Sequence, residues 1–160
     1  VPFSLNNTWV TGQVVAASDM NAHANAILAL VNNWQTAVVA TSESTASTTY
    51  TDLTTTTDQV TVTVGQSGVV IVLLQAQLTT TGGTHYAYVG VALSGANTQA
   101  ASNALGLQYI PWTAGFLHQA GDAFALPGLA PGATTFKMKY AVGNYTGTFA
   151  NRRITVLALP

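Results

Sequence analysis

The chain is predicted to be mainly β, an antiparallel β-sandwich of about eight strands preceded by an extended N-terminal arm and one short α-helix. Three observations carry this. Alternating apolar and polar runs recur from Gln59 onward, in QVTVTV, HYAYVGVAL and TTFKMKYAV, and strict alternation is the signature of a half-buried strand. Turn-forming clusters separate them: GQSG, TTTGGT, LPGLAPG and GNYTG. Helical spacing of apolar residues, by contrast, is confined to one stretch before residue 40.

That stretch divides into two parts. Residues 1–15 form an apolar arm that includes Phe3, Leu5, Trp9 and Val10. Beyond it, Met20, Ala24, Ile27, Val31, Trp34 and Val38 follow one another at steps of four, three, four, three and four, the seam of a coiled coil. Ser18 is placed to cap the helix, and Asp19 puts a carboxylate where the helix dipole favours one. Leu28 and Leu30 widen the apolar face, and Asn21, Asn25, Asn32 and Asn33 keep the rest wet without charge. A helix this short is not stable alone, so it packs either on its own β domain or against copies of itself. Met20, Ala24, Ile27, Val31 and Trp34 are the expected oligomer interface.

Composition changes near residue 41, so the expected units are 1–40 (arm and helix), 41–58 (a Thr/Ser-rich linker or edge strand) and 59–160 (the sandwich). Tyr50 and Leu53 are the expected anchors of the linker. Gln59–Val64 reads as a half-buried strand, with Val60, Val62 and Val64 on one face. The next strand, from Val69 to Leu78, starts apolar on both faces, as in the middle of a sandwich or at a subunit interface. TTTGGT reads as a hairpin leading into His85–Leu93. Leu107–Ile110 stops at Pro111, which cannot donate to a ladder, and Phe124–Leu126 is a further short strand. The last two strands, Thr134–Val142 and Arg152–Leu159, read as a hairpin closed by GNYTG. That pairing would set Lys137 and Lys139 beside Arg153, so an acidic group from a partner, or Asp52 or Asp58, is expected to meet them; the alternative is a solvated, lysine-protected edge.

Composition excludes several classes of function. Only 6% of the 160 residues are charged, against about 25% in ordinary soluble proteins, and the net charge is −1. Four cations cannot build a nucleic-acid interface. The mean hydropathy is +0.32, yet the longest aliphatic run, Val69–Leu74, is too short to span a bilayer. No tripartite leader is visible, so the sequons at Asn6 and Asn144 carry little weight. With no cysteine there is no disulfide or thiolate site, and His23, His85 and His118 are too dispersed for a zinc site. His118 and Asp122 lack any nucleophile motif beside them. The expectation is no enzyme, no catalytic residue, no metal and no cofactor. Tyr109, Trp112 and Phe116 form a candidate ligand loop, suited to stacking on sugar rings unless they close the end of the core.

The opening TWVTGQVVAASDMNAHANAILALVNN resembles the N-terminal segment of small virion proteins of actinobacterial tailed phages, and the closing LAPGATTFKMKYAVGNYTGTFANRRITVLAL is similar to terminal strands in the same kinds of protein. The resemblance implies a homotrimeric capsid decoration or head-fibre protein, or a minor tail protein, with a jelly-roll β domain loosely like the tumour-necrosis-factor superfamily. It further implies a place on the virion surface after assembly in the host cytoplasm. Expected partners are two further copies of the chain, the major capsid or tail protein docked by the arm through Phe3, Leu5, Trp9 and Val10, and a host surface glycan. In the alternative reading the chain is a minor tail or fibre protein acting as a carbohydrate or host-receptor binding module.

Overall fold

The computed structural model describes residues 16–110 and 112–160, without the side chains of Ala26, Ala29 and Val31. Helix α1 (Ala17–Asn32) leads directly into nine strands: β1 (Trp34–Val39), β2 (Glu43–Thr45), β3 (Gln59–Val64), β4 (Val70–Thr80), β5 (Ala87–Gly95), β6 (Gly106–Tyr109), β7 (His118–Leu126), β8 (Gly132–Val142) and β9 (Gly147–Ala158). They form two antiparallel sheets, one ordered β1-β9-β4-β7 with β2 also on β9, the other β3-β8-β5-β6. After β2, every connection except β5 to β6 passes from one sheet to the other. This alternation makes the sandwich a jelly roll.

The core lies between the sheets. Alternation puts Val60, Val62 and Val64 of β3, Val70, Val72 and Leu74 of β4, and Phe136, Met138 and Tyr140 of β8 into it, all buried. Burial of each large side chain contributes about 1.5–3 kcal/mol, and no disulfide supplements it. Residues 46–58 are strapped across β8: Thr51 and Tyr140 exchange two backbone bonds of 2.9 Å, and Val142 N donates to Ser47 O at 2.9 Å. Leu53 is buried, and the Tyr50 ring lies over Gly90, where a Cβ would come within 2.7 Å of it. Both expected anchors of this segment therefore hold.

Several expectations are corrected. The helix starts at Ala17 and ends at Asn32, so Ser18 lies inside its first turn, and Trp34 and Val38 stand on β1, paired with Leu157 and Arg153. The coiled-coil seam stops before them. The sandwich accordingly begins at Trp34, and Glu43–Thr45 is an edge strand on β9. TTTGGT and GNYTG are not hairpin turns: β4 and β5, like β8 and β9, belong to opposite sheets. Arg153 is consequently on the other sheet from Lys139. The acid that meets the lysines is Asp52, 2.9 Å from Lys137 and 2.8 Å from Lys139. Burial is the largest single influence and pushes the Asp52 carboxyl up, but the hydrogen bonds and charges of the two ammonium groups together outweigh it and hold the carboxyl below the usual aspartate range. The short strand expected at Phe124–Leu126 is the end of a nine-residue strand, β7.

Candidate functional site

Three features could carry function: a buried ionic cluster, an uncovered sheet face with its helix, and a loop of exposed aromatics. The ionic cluster owes its position to a bulge. Opposite Gln75–Gln77 of β4 the register of β9 shifts, and Asn151 takes a positive φ of 47°, a conformation Asn tolerates better than most residues. The extra residue resets the alternation, so that Phe149, Arg152 and Ile154 all face inward. Arg152 is fully buried, and its guanidinium donates to Asp58 Oδ2 at 3.2 Å and to Glu43 Oε2 at 2.5 Å. Tyr140 Oη donates to the same Asp58 oxygen at 2.5 Å, and its ring lies 5.3 Å from the guanidinium carbon.

This cluster ties β2, the strap, β8 and β9 together, and its chemistry is that of a clamp. Arg152 Nε is buried and has no hydrogen-bond partner among the described residues. Burial raises the Asp58 carboxyl above the usual aspartate range, against the hydrogen bond from Tyr140 and the charge of Arg152. Burial also raises the Tyr140 phenol, with Asp58 adding to the effect. For Glu43 burial acts upward too, but hydrogen bonds from Thr55 and Arg152 outweigh it and leave the carboxyl low. The sign then follows for each carboxylate. Glu43, lowered when folded, stabilises the protein above its ordinary value of 4.5, and that contribution is lost as the pH falls through its folded value. Asp58, raised when folded, contributes in the opposite sense, favouring the fold at low pH and losing that effect as the pH rises through its folded value. Glu43→Gln is therefore expected to flatten the acid limb of the stability curve. Urea unfolding of both proteins at a series of pH values measures this, and parallel curves below pH 4.5 would refute it.

The second feature is the outer face of the β1-β9-β4-β7 sheet. Cross-strand register aligns Trp34 with Leu157, Thr36 with Thr155 and Val38 with Arg153 on this face. Neighbouring strands add Ile71 and Leu73 of β4, and Ala123 and Ala125 of β7. Trp34 is 50% exposed, Val38 56% and Leu73 38%, and Trp34 and Leu73 line a shallow groove of about 580 Å³. Trp34 Nε1 donates to Thr36 Oγ1 at 3.2 Å and Thr36 Oγ1 lies 3.0 Å from Thr155 Oγ1, so the polar atoms of these three residues satisfy one another. Helix α1 joins the same end of the sheet through Asn33, whose Nδ2 donates to Thr63 O at 2.8 Å and Ala158 O at 3.2 Å. Met20, Ile27, Leu28 and Leu30 of the helix are all exposed, as is Ala24. Of the expected interface residues, then, Met20, Ala24 and Ile27 share the helix and Trp34 shares the sheet face. The Val31 side chain lies outside the described residues, and so do Phe3, Leu5, Trp9 and Val10. The outward exposure of Leu73 is legible in sequence only as the doubly apolar start of β4.

The third feature is the loop between β6 and β7. Trp112 is 94% exposed and Phe116 59%, so neither closes the end of the core; only Tyr109 packs partly against it. Tyr109 is held by His118, the two rings stacking at 4.3 Å with an interplanar angle of 4°. His118 and Asp122, four apart on β7, share no hydrogen bond among the described residues; Asp122 Oδ1 accepts from Ala123 N at 2.8 Å. Among the described residues no cluster of three metal-ligating side chains occurs, and no helix is long and apolar enough to cross a membrane.

No family model matches the sequence, and no curated protein is similar to it. The fold, however, is shared with solved structures. VP2 of infectious bursal disease virus, in a subviral particle, aligns over 79% of this chain with a TM-score of 0.54 at 14% identity. A chain of the T13 particle of the same virus aligns over 79% with a TM-score of 0.55 at 13% identity. This chain spans about a third of those viral chains, 32% and 31%. Eiger, a TNF of S. frugiperda, aligns over 80% of this chain and 94% of its own, with a TM-score of 0.51 at 11% identity. What the three share with this chain is the jelly-roll sandwich.

Proposed function

We propose that this chain is a structural protein of a phage virion, a homotrimeric capsid decoration or head-fibre protein that lies at the virion surface and docks through its N-terminal arm. One observation carries the reading: α1 leaves Met20, Ile27 and Leu28 exposed, and the outer face of the β1-β9-β4-β7 sheet that follows it leaves Trp34, Val38 and Leu73 exposed, in a chain with a net charge of −1. So many large apolar side chains left uncovered on two successive elements suit an assembly site. A chain with so little charge has weak colloidal repulsion, which suits a fixed array and not a free monomer. The jelly-roll fold, shared with a protein of a virus particle and with a TNF, is compatible with this role. Neither catalysis nor a cofactor enters the reading.

Light scattering of the full chain and of Ile27→Asp tests it. The wild-type mass should be that of three chains, and the variant should fall to one, because a carboxylate at the seam would have to be desolvated in each copy. A chain lacking residues 1–12 should remain trimeric but no longer bind particles of its phage. Trimers that survive Ile27→Asp would remove the helix from the interface, and particle binding without the arm would move docking to the sandwich. A second reading, a minor tail or fibre protein acting as a carbohydrate or host-receptor binding module, is favoured by the exposure of Trp112.

A further inference from the structure

From the loop geometry we infer a binding subsite for a neutral oligosaccharide at the end of the sandwich, with Trp112 as the stacking platform and Gln108, Thr84 and Tyr109 as its hydrogen-bonding rim. The inference rests on the binding-module reading of this loop and is independent of how the chain assembles. A cavity of about 450 Å³ opens here, lined by Thr84, Gln108, Tyr109, Ile110 and Trp112. That size falls within the roughly 300–1,000 Å³ of small-ligand sites.

The site is built rather than incidental. The loop before β5 is fixed at its start by Thr80 Oγ1 donating to Gly82 O at 2.6 Å, and the loop before β7 is tied to the end of β4, where Gly115 N donates to Thr80 O at 2.8 Å. Gly83 lies so close to the second loop that a Cβ there would come within 3.3 Å of Ala114 N and 3.4 Å of Trp112 O. Between them Thr84 takes a positive φ of 63°, an unfavourable conformation for a β-branched residue that persists only where its surroundings enforce it. Tyr109 is fixed from behind by its stack on His118. One wall is therefore rigid, and the Trp112 indole stands over it almost wholly uncovered, at 94% exposure.

The chemistry of the lining selects the ligand. None of the five lining residues is charged, so nothing there compensates a carboxylate, a phosphate or an ammonium group. Thr84, Gln108 and Tyr109 offer neutral donors and acceptors beside two apolar surfaces, Ile110 and Trp112. A pyranose ring has the same division, with C–H faces that stack on an aromatic and hydroxyls around its edge. The Thr84 hydroxyl already donates to Gly83 O at 2.6 Å and has its lone pairs left to accept, but a purely apolar occupant would leave the amide of Gln108 without a partner.

Isothermal titration calorimetry on the full chain, with light scattering on the same samples, provides the test. The probes are maltohexaose, N,N′-diacetylchitobiose and lacto-N-neotetraose, with sialyllactose as the anionic comparison. At least one neutral probe should bind saturably, one per chain, and better than sialyllactose. Trp112→Ala should weaken that binding by about tenfold or more, and Gln108→Ala by severalfold, with the oligomeric mass of both variants unchanged. Trp112→Phe, which keeps a stacking face, should retain part of the affinity. The inference is overturned if none of the neutral probes binds, or if Trp112→Ala binds them as the wild type does. It is likewise overturned if Trp112→Ala lowers the oligomeric mass, since the indole would then be a contact between subunits. A monomeric wild type that binds the sugar would defeat the trimer and leave this site standing.

Discussion

Arg152→Met is expected to lower the melting temperature by about 10 °C. The guanidinium is fully buried and holds two carboxylates from different parts of the chain, Glu43 of the edge strand β2 and Asp58 at the end of the strap. Removing one member of a buried ionic cluster costs about 3–5 kcal/mol, chiefly because the charge left behind has no compensation. For a domain of this size each kcal/mol is about 2–4 °C. Methionine fills much of the same volume, so the loss reports the charge and not a cavity. Asp58, only 2% exposed, is the more deeply buried of the two carboxylates left behind, and Tyr140 alone cannot neutralise it. Arg152→Met combined with Asp58→Asn should therefore recover a substantial part of the lost temperature, because the asparagine oxygen still accepts from Tyr140. Arg152→Lys should lie near the methionine variant, since a single ammonium cannot span both carboxylates as the guanidinium fork does. Calorimetric melts at one protein concentration decide it: a single variant that melts with the wild type, or a double variant no better than the single, would show that the cluster does not clamp the strap.

The cluster also shows where the sequence stops being legible. β3 could be read to the residue because Gln59–Val64 alternates without interruption, and β8 nearly so. Strict alternation carried through β9 from Phe149, however, turns Arg152 outward; only the bulge at Asn151 brings it in, and a bulge is set by the partner strand. The turn signals TTTGGT and GNYTG were equally ambiguous, since a chain reverses whether it returns in its own sheet or crosses to the other. Trp34 and Val38 look helical for a simple reason: a step of four residues returns to the same face of a strand as well as to the same side of a helix. β7 has the opposite difficulty. Its central Ala, Gly and Asp are poor strand formers, and it becomes a strand by pairing with Val70–Leu78. The candidate sites divide along the same line. The helical residues Met20 and Ile27 could be found from spacing, whereas Leu73 enters only once the sheet has an outside. Trp112 could be picked out as an aromatic in an irregular loop, but large aromatics are usually covered, and its exposure is a property of the folded loop.

Leu73→Asp and Leu74→Asp alter neighbouring residues of one strand and should have opposite outcomes. Leu74 faces the core at 3% exposure, paired across β7 with Asp122; Leu73, at 38%, faces outward between Thr155 and Ala123. An aspartate at 74 has to be buried or protonated, at a cost of several kcal/mol for a charge without a partner. That approaches the roughly 5–15 kcal/mol by which such domains are stable at all, so Leu74→Asp should be recovered unfolded or aggregated. At 73 the same carboxylate points into solvent in the isolated chain, near Arg153 on the same face, and costs the monomer little. If the outer sheet face is where the copies meet, Leu73→Asp should nevertheless abolish association, placing a carboxylate in each copy's contact surface. The expected product is a folded monomer, with the circular dichroism of the wild type and one third of its mass by light scattering. A folded trimer would confine assembly to the helix, where Ile27→Asp acts alone. An unfolded Leu73→Asp chain would mean that this face is needed for the fold itself. The contrast between 73 and 74 thus separates the two faces of one strand: the inner holds the sandwich together, and the loss or survival of association in a folded Leu73→Asp chain decides whether the outer is where copies meet.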